Sequence, residues 1–340
     1  MAQWVPHKAK PASLDHYRFQ IRQLASALVH QGVNVDSLTA LSVLVTEENA
    51  EKALRFHYDR AGKTETQQVA NLARLIHTIA KYHCKVDADH LKCLDEFQER
   101  LAYKPKGLTL KNLERLRQFK DRKNIEALLL LPQKIFDRLT YKNRITIRNL
   151  ADIQVALEIE LLLMAPVRRK NLVSLRIGPN GHIRPSQDSK GTTHLVISGD
   201  EVKNAQDLEF PLPQETAALL DLFITKYRPL LPNASSDWLF PGEGCTGHRS
   251  PDQFSRQFTK TILRETGLVV NMHLMRHLGA KLYLDENPGA YEVVRRVLAH
   301  KSMSTTINSY TGLETEAAVR HFDAVILGMR DGIRRETSHD

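Results

Sequence analysis

The chain has 340 residues, enough for two domains that each bury a core, and its 42% hydrophobic and 26% charged residues are the balance of a globular protein. No apolar run approaches the roughly 18 residues needed to span a bilayer, so no membrane partner is expected. A formal net charge of +9 favours a polyanionic partner.

Taken from the N-terminus, Met1-Ala2-Gln3-Trp4 lacks the apolar core of a secretory signal. Leu14, Tyr17, Ile21, Leu24 and Leu28 then recur at helical spacing and stop before Gly32. Thr46 followed by Glu47 and Glu48 marks a second helix start. A third helix carries Val69, Leu72, Ile76 and Ile79 on one side, and a fourth carries Leu91, Leu94 and Leu101. These stripes have a packing explanation that needs no ligand, and together they predict a compact helical bundle over residues 1–110.

Lys104-Pro105-Lys106-Gly107 breaks the pattern and opens a basic stretch. Arg100, Lys104, Lys106, Lys111, Arg115, Arg117, Lys120, Arg122 and Lys123 face only Glu114 and Asp121, so much of the excess charge sits in one segment. Residues 111–122 are expected to form a basic linker, and Lys104, Lys106, Lys111, Arg115, Arg117, Lys120, Arg122 and Lys123 to contact nucleic acid; the alternative is a solvated helical face.

The remainder, 123–340, reads as mixed. Asn149 to Met164 is an apolar helix ending near Pro166, buried in spite of Glu158 and Glu160. Leu172 to Ile177, His194 to Ser198 and Leu208 to Leu212 read as short strands, the last two joined by a polar hairpin loop, Gly199 to Asn204, with Lys203 near its tip. Helices resume over Glu215–Tyr227, Pro251–Thr266, Met272–Asp285, Tyr291–Leu298 and Glu314–Leu327. The expected fold is mainly α with a small antiparallel β-sheet, in two domains. Cys84, Cys93 and Cys245 are odd in number and form no CxxC, which argues against a disulfide framework and a zinc site and fits a reducing cytoplasm.

The residues that carry chemistry lie in this second part. In His273-Leu274-Met275-Arg276 the imidazole and guanidinium share a helical face suited to an anion, while Leu274, Leu278 and Leu282 bury the other side. His273 and His277 have metal-ligand spacing but lack the glutamate of HExxH and a third ligand. The hydroxyl-rich stretch His300 to Gly312 implies a turn or short helix that lets Tyr310 project into a cleft; the alternative is a buried tyrosine with a satisfied hydroxyl. Two arginines and a lysine can neutralise a phosphodiester, histidines can manage protons, and a tyrosine can attack phosphorus, so Arg168, Lys203, His273, Arg276, His300 and Tyr310 make up a metal-free phosphoryl-transfer set.

This ordered set resembles that of the tyrosine recombinases, or phage integrase family. The likeness rests on Arg168 within Ala165-Pro166-Val167-Arg168-Arg169-Lys170-Asn171-Leu172, on Lys203 before a strand ending Phe210-Pro211-Leu212, on His273-x-x-Arg276, and on His300 followed by Tyr310. It covers nearly all of the second half; the first half is similar to the family's SAM-like core-binding domain only in size, helicity and position. The resemblance implies a site-specific recombinase or integrase, with two domains clamped on double-stranded DNA. In it Tyr310 forms a 3′-phosphotyrosyl link, Arg168 and Arg276 hold the non-bridging oxygens, and Lys203 on a mobile hairpin protonates the 5′-oxygen. His273 acts as acid and base, and His300 hydrogen-bonds the phosphate. No cofactor, metal or ATP is implied; a homotetramer on synapsed DNA, an accessory DNA-bending protein and a cytoplasmic, nucleoid-associated location are. A relaxing topoisomerase of the same chemistry and a catalytically inactive DNA-binding protein are the alternatives. The sequence departs from the family at Asn171, where an acidic residue is usual, at Ala299, where glycine is common, and by one extra residue between His300 and Tyr310. The apolar face of Ala317, Ala318, Phe322, Val325 and Ile326 in the tail is expected to cap its own domain or, as the resemblance favours, to dock on a neighbouring protomer.

Overall fold

The computed structural model describes residues 11–103, 107–142, 144–185, 191–202, 204–244 and 247–336. The chain divides into two compact units, Met1–Pro105 and Lys106–Asp340.

In the first unit the helices are α1 (Pro11–His30), α2 (Leu41–Leu44), α3 (Glu47–Arg60), α4 (Gln67–Thr78) and α5 (Ala88–Arg100). Their starts are written in the sequence. Thr46, Thr66 and Asp87 accept the backbone N–H of Asn49, Val69 and His90, each satisfying a donor that the first helical turn leaves open. Glu47 and Glu48 add negative charge where the α3 dipole is positive. Leu24 and Leu28 of α1, Val69, Leu72 and Ile76 of α4 and Leu94 of α5, from the predicted stripes, meet Leu54 of α3 in one core, whereas Leu14 and Tyr17 of the first stripe are exposed. The short α2 was not legible, because four residues cannot display a helical period.

The second unit begins with the segment expected to be a linker. It is folded instead: α6 (Leu110–Arg117) and the turn Gln118–Lys120 bury Leu116 and Phe119 in the core of this unit. Gln118 donates to the carbonyl of Val269 at 3.4 Å and accepts from its amide at 3.0 Å. The charge run hid the two apolar residues that make the segment structural. Next come α7 (Arg122–Leu129), α8 (Leu131–Thr140) and α9 (Ile147–Met164). A capping box of Thr146 and Asn149 starts α9, and Ala165 ends it because a residue before proline is driven out of the helical region. Twelve residues of α9 are buried, so it is the axis of the unit.

The expected strand at Leu172 to Ile177 is a correction. Arg169–Val173 is a short helix, α10, and only the residues after it are extended, with Arg176 bridged to Trp238. Leu172, Val173 and Leu175 are buried either way, and over so few residues the apolar pattern fits both periods. The sheet is β1 (Ile183–Pro185), β2 (Thr193–Ile197) and β3 (Leu208–Pro211), antiparallel in that order, with Leu195 opposite both Ile183 and Phe210. β1 was not anticipated. Beyond it lie α11 (Gln214–Leu222), α12 (Pro251–Thr266), α13 (Met272–Glu286), α14 (Tyr291–Val297), α15 (Met303–Tyr310) and α16 (Thr315–Glu336). Among the described residues no helix is long and apolar enough to cross a membrane.

Candidate active site

Four local structures bring the predicted polar residues together. The first is the break after α9. Pro166 turns the chain, and Arg168 follows in extended conformation at the start of α10. Its guanidinium is half-buried and has no hydrogen-bond or ion-pair partner among the described residues. A desolvated cation without a counter-charge is a site for an anion.

The second is α13, capped by Asn271 at the amide of Leu274. Leu274 and Leu278 are buried as expected, and Leu282 packs against the same core. Arg276 is only 7% exposed and donates to two backbone carbonyls, that of Pro166 and, at 2.8 Å, that of Leu298. One side chain thus ties the α9 break to the end of α14. Burial, with Arg168 nearby, lowers the Arg276 pKa to about 10, which leaves it a cation at neutral pH.

The third is the exit of α14. Ala299 has a φ of +49°, its amide donates to Arg296 at 3.0 Å, and the amide of His300 donates to Arg295 at 2.9 Å. These are the two bonds of a Schellman motif, whose left-handed position glycine fills without strain, so the family's usual glycine has a conformational reason and Ala299 carries about 1–2 kcal/mol of strain. The motif aims His300 inward, where Nδ1 meets the hydroxyl of the buried Thr306 at 2.9 Å. Burial first, and then Arg276 and Arg168, push the His300 pKa down to about 4.

The fourth is α15, capped by Ser302, which ends on Tyr310. A turn or short helix was expected here; projection of the tyrosine into a cleft was expected too, and the structure corrects it to the buried alternative. Tyr310 is 1% exposed, packs with Ala280, Leu284, Val294 and Leu298, and lies parallel to the His300 ring at 6.3 Å. Its hydroxyl is bonded to Nδ1 of His277 at 2.9 Å. The apolar residues of α13 and α14 favour this packing over projection into a cleft, and burial raises the phenol to about 12.

His277 is the residue that sequence reasoning missed. It was weighed only as a metal ligand with His273, and among the described residues no cluster of three or more His, Cys, Asp or Glu is assembled to hold a metal ion. Instead its Nε2 faces Nε2 of His273 at 3.1 Å, and burial, then His273, Arg276 and His300, depress its pKa to about 3. The signal available was its place four residues after His273, which sets the two imidazoles on one face of α13. His273 itself is exposed and reaches Tyr310 only through His277.

Lys203 lies outside the described residues, as do Lys104 and Lys106. The hairpin that carries position 203 is anchored on both sides. Glu201 is gripped by Arg176 at 2.8 Å and His182 at 2.6 Å, and its carbonyl accepts from Asn171 at 3.1 Å. Asn204 donates to the carbonyl of Ala299 at 2.7 Å. Asn171, the departure from the family's acidic residue, therefore acts on the hairpin backbone. Of the basic residues expected to meet nucleic acid, Lys111, Arg117, Lys120, Arg122 and Lys123 are exposed and Arg115 is half-buried. Lys120 pairs with Glu316 and Arg122 with Glu126, both at the surface.

The fold is similar to that of solved site-specific recombinases and integrases, mainly helical with a small antiparallel sheet. The DNA-bound pre-cleavage complex of XerH site-specific recombinase matches 88% of this chain over 76% of its own, at 16% identity and a TM-score of 0.51. The Tn1549 transposon integrase in complex with transposon right-end DNA matches 94% over 95%, at 14% identity and a TM-score of 0.51. No family model matches the sequence, and no curated protein matches it.

Proposed function

We propose that the protein is a tyrosine recombinase that cuts and rejoins double-stranded DNA at specific sites through a 3′-phosphotyrosyl intermediate, without metal or ATP. The convergence of Arg168, His273, Arg276, His300 and Tyr310 from four separated segments carries the reading. A phosphodiester would dock on Arg168 and the remaining N–H groups of Arg276, which favour the charge that builds on the non-bridging oxygens. Tyr310 would attack phosphorus, Lys203 would protonate the leaving 5′-oxygen, His273 would exchange the nucleophile's proton, and His300 would hydrogen-bond the phosphate. The tyrosyl ester conserves the energy of the broken bond, so rejoining to a new 5′-hydroxyl needs no external supply. Because Tyr310 is enclosed in this structure, DNA binding has to admit the scissile phosphate to its oxygen while the contact with His277 is kept.

Nicked suicide duplexes bearing candidate attachment sites test the reading, since loss of the short 5′ fragment traps the ester. Wild-type protein is expected to shift to a protein–DNA adduct that resists denaturant, mapped to Tyr310 by peptide mass, and Tyr310→Phe to form none. Salt-sensitive binding without an adduct would make it a DNA-binding protein only. Release of supercoils without exchange between two sites would make it a topoisomerase.

The exposed Lys111, Arg117, Lys120, Arg122 and Lys123 and the half-buried Arg115, with Lys104 and Lys106, would neutralise DNA phosphates. The tail supports assembly as a homotetramer, with accessory DNA-bending proteins as further partners: Ala317 is buried at the base of α16, but Phe322 is 66% exposed and Val325, Ile326 and Met329 are exposed with it. A chain truncated before Thr315 is expected to cleave a single site and fail to synapse two, measured by native gel shift; retained synapsis would remove the tail from assembly.

A further inference from the structure

We infer that His277 is a catalytic base that takes the phenolic proton of Tyr310 and hands it to His273, a role that rests on the phosphotyrosyl reading above. Tyr310 is 1% exposed, so its proton has no direct route to water. Among the described residues its hydroxyl has one partner, His277 Nδ1 at 2.9 Å, and the opposite nitrogen of that ring meets His273 Nε2 at 3.1 Å. The line of groups runs from a buried hydroxyl through a buried imidazole to an imidazole exposed to solvent.

The tautomers follow from donor counting. A neutral imidazole has one N–H and one acceptor nitrogen. If the phenol donates to Nδ1 of His277, that ring carries its proton on Nε2 and donates it to His273 Nε2, so His273 carries its own on Nδ1. Every bond in the line then points the same way, from nucleophile to solvent. Burial keeps His277 neutral and hence able to accept. A phenol that donates its single hydrogen keeps both oxygen lone pairs, so the attacking pair is not spent on the base.

In the step itself the bond from the Tyr310 oxygen to phosphorus forms as the O–H bond breaks. The proton passes to His277 Nδ1 while the Nε2 proton of that ring passes to His273. The bond from phosphorus to the 5′-oxygen breaks and that oxygen takes a proton from the general acid. Burial first, and then His273 and Arg276, disfavour a resting charge on His277, so the proton does not stay there. Rejoining returns it by the same path.

Full-length protein on nicked suicide duplexes tests the relay. His277→Gln, whose amide cannot accept a proton, is expected to slow adduct formation about 10²- to 10⁴-fold. In His277→Gly, added imidazole is expected to restore the rate at least about tenfold, the size of effect that a returned general base allows, while Tyr310→Phe stays inert with imidazole. A His277→Gln rate within about threefold of wild type, too small for a lost general base, overturns the relay. So does an imidazole-insensitive His277→Gly protein that melts and binds DNA as wild type does. If His277→Gly does not fold, the His277→Gln rate decides alone. Failure of the underlying chemistry is seen separately, as wild-type protein that forms no adduct at all.

Discussion

Arg276→Ala is expected to lose adduct formation by at least about 10²- to 10³-fold and to melt several degrees below wild type, whereas Arg168→Ala is expected to lose rate alone. The difference lies in what each guanidinium touches. Arg276 satisfies the buried carbonyls of Pro166 and Leu298, and removing it leaves two acceptors with no donor. Each such orphan costs about 1–3 kcal/mol. The loss of about 2–6 kcal/mol corresponds to roughly 4–24 °C in a unit of this size. Arg168 has no partner among the described residues, so Arg168→Ala gives up only the anion it awaits and stays within about 0.5 kcal/mol of wild type. Calorimetry beside suicide-substrate kinetics checks both. Equal destabilisation by the two variants would show that Arg276 does not tie the α9 break to α14.

Glu158→Met is expected to stabilise the protein at neutral pH by about 1–3 kcal/mol, with a gain that shrinks as the pH falls. Glu158 sits in the middle of α9 at 0% exposure, with neither carboxylate oxygen hydrogen-bonded. Burial raises its pKa well above the model-compound value of 4.5, against a smaller opposing pull from Arg249. The folded protein therefore holds a proton that the unfolded chain releases above about pH 4.5. Stability linked to this group is greatest below that pH and falls as the pH rises toward the folded value, by up to about 1.4 kcal/mol per unit. Methionine has no proton to hold and fills a similar volume, so the variant should lack this slope. Urea titrations from pH 4 to pH 8 measure it; parallel curves for wild type and Glu158→Met would mean that the carboxyl finds a partner.

The two predictions share a cause that bears on how this chain can be read. Helix α9 is apolar enough for its burial to be foreseen, and the cap Thr46 and the break at Pro166 fix their elements within a few residues of chain. Such features are local: a hydroxyl caps whichever amides follow it, and proline ends the helix before it. The ordered polar set was legible as residue types at set spacings, and the phosphoryl transfer proposed for it limits which side chains could serve. The six-residue run Leu172 to Ile177 was misread because helix and strand differ there only through what packs against them. The basic segment 111–122 was taken for a linker because nothing local shows that Leu116 and Phe119 find a core.

By itself, then, the sequence determined the two-part, mainly helical plan, the positions of most elements, and the kinds of group available for attack, charge neutralisation and proton transfer. Only the tertiary structure decided that Tyr310 is enclosed rather than presented, that His277 and not His273 holds its hydroxyl, and that Arg276 ties two backbone carbonyls together. Burial and hydrogen-bond partnership are set by residues distant in the chain: Tyr310 meets His277 across 33 positions and Arg276 meets Pro166 across 110. A spacing rule sees neighbours along one helix; it cannot see which of two adjacent side chains, Arg276 or His277, faces the carbonyls and which faces the nucleophile.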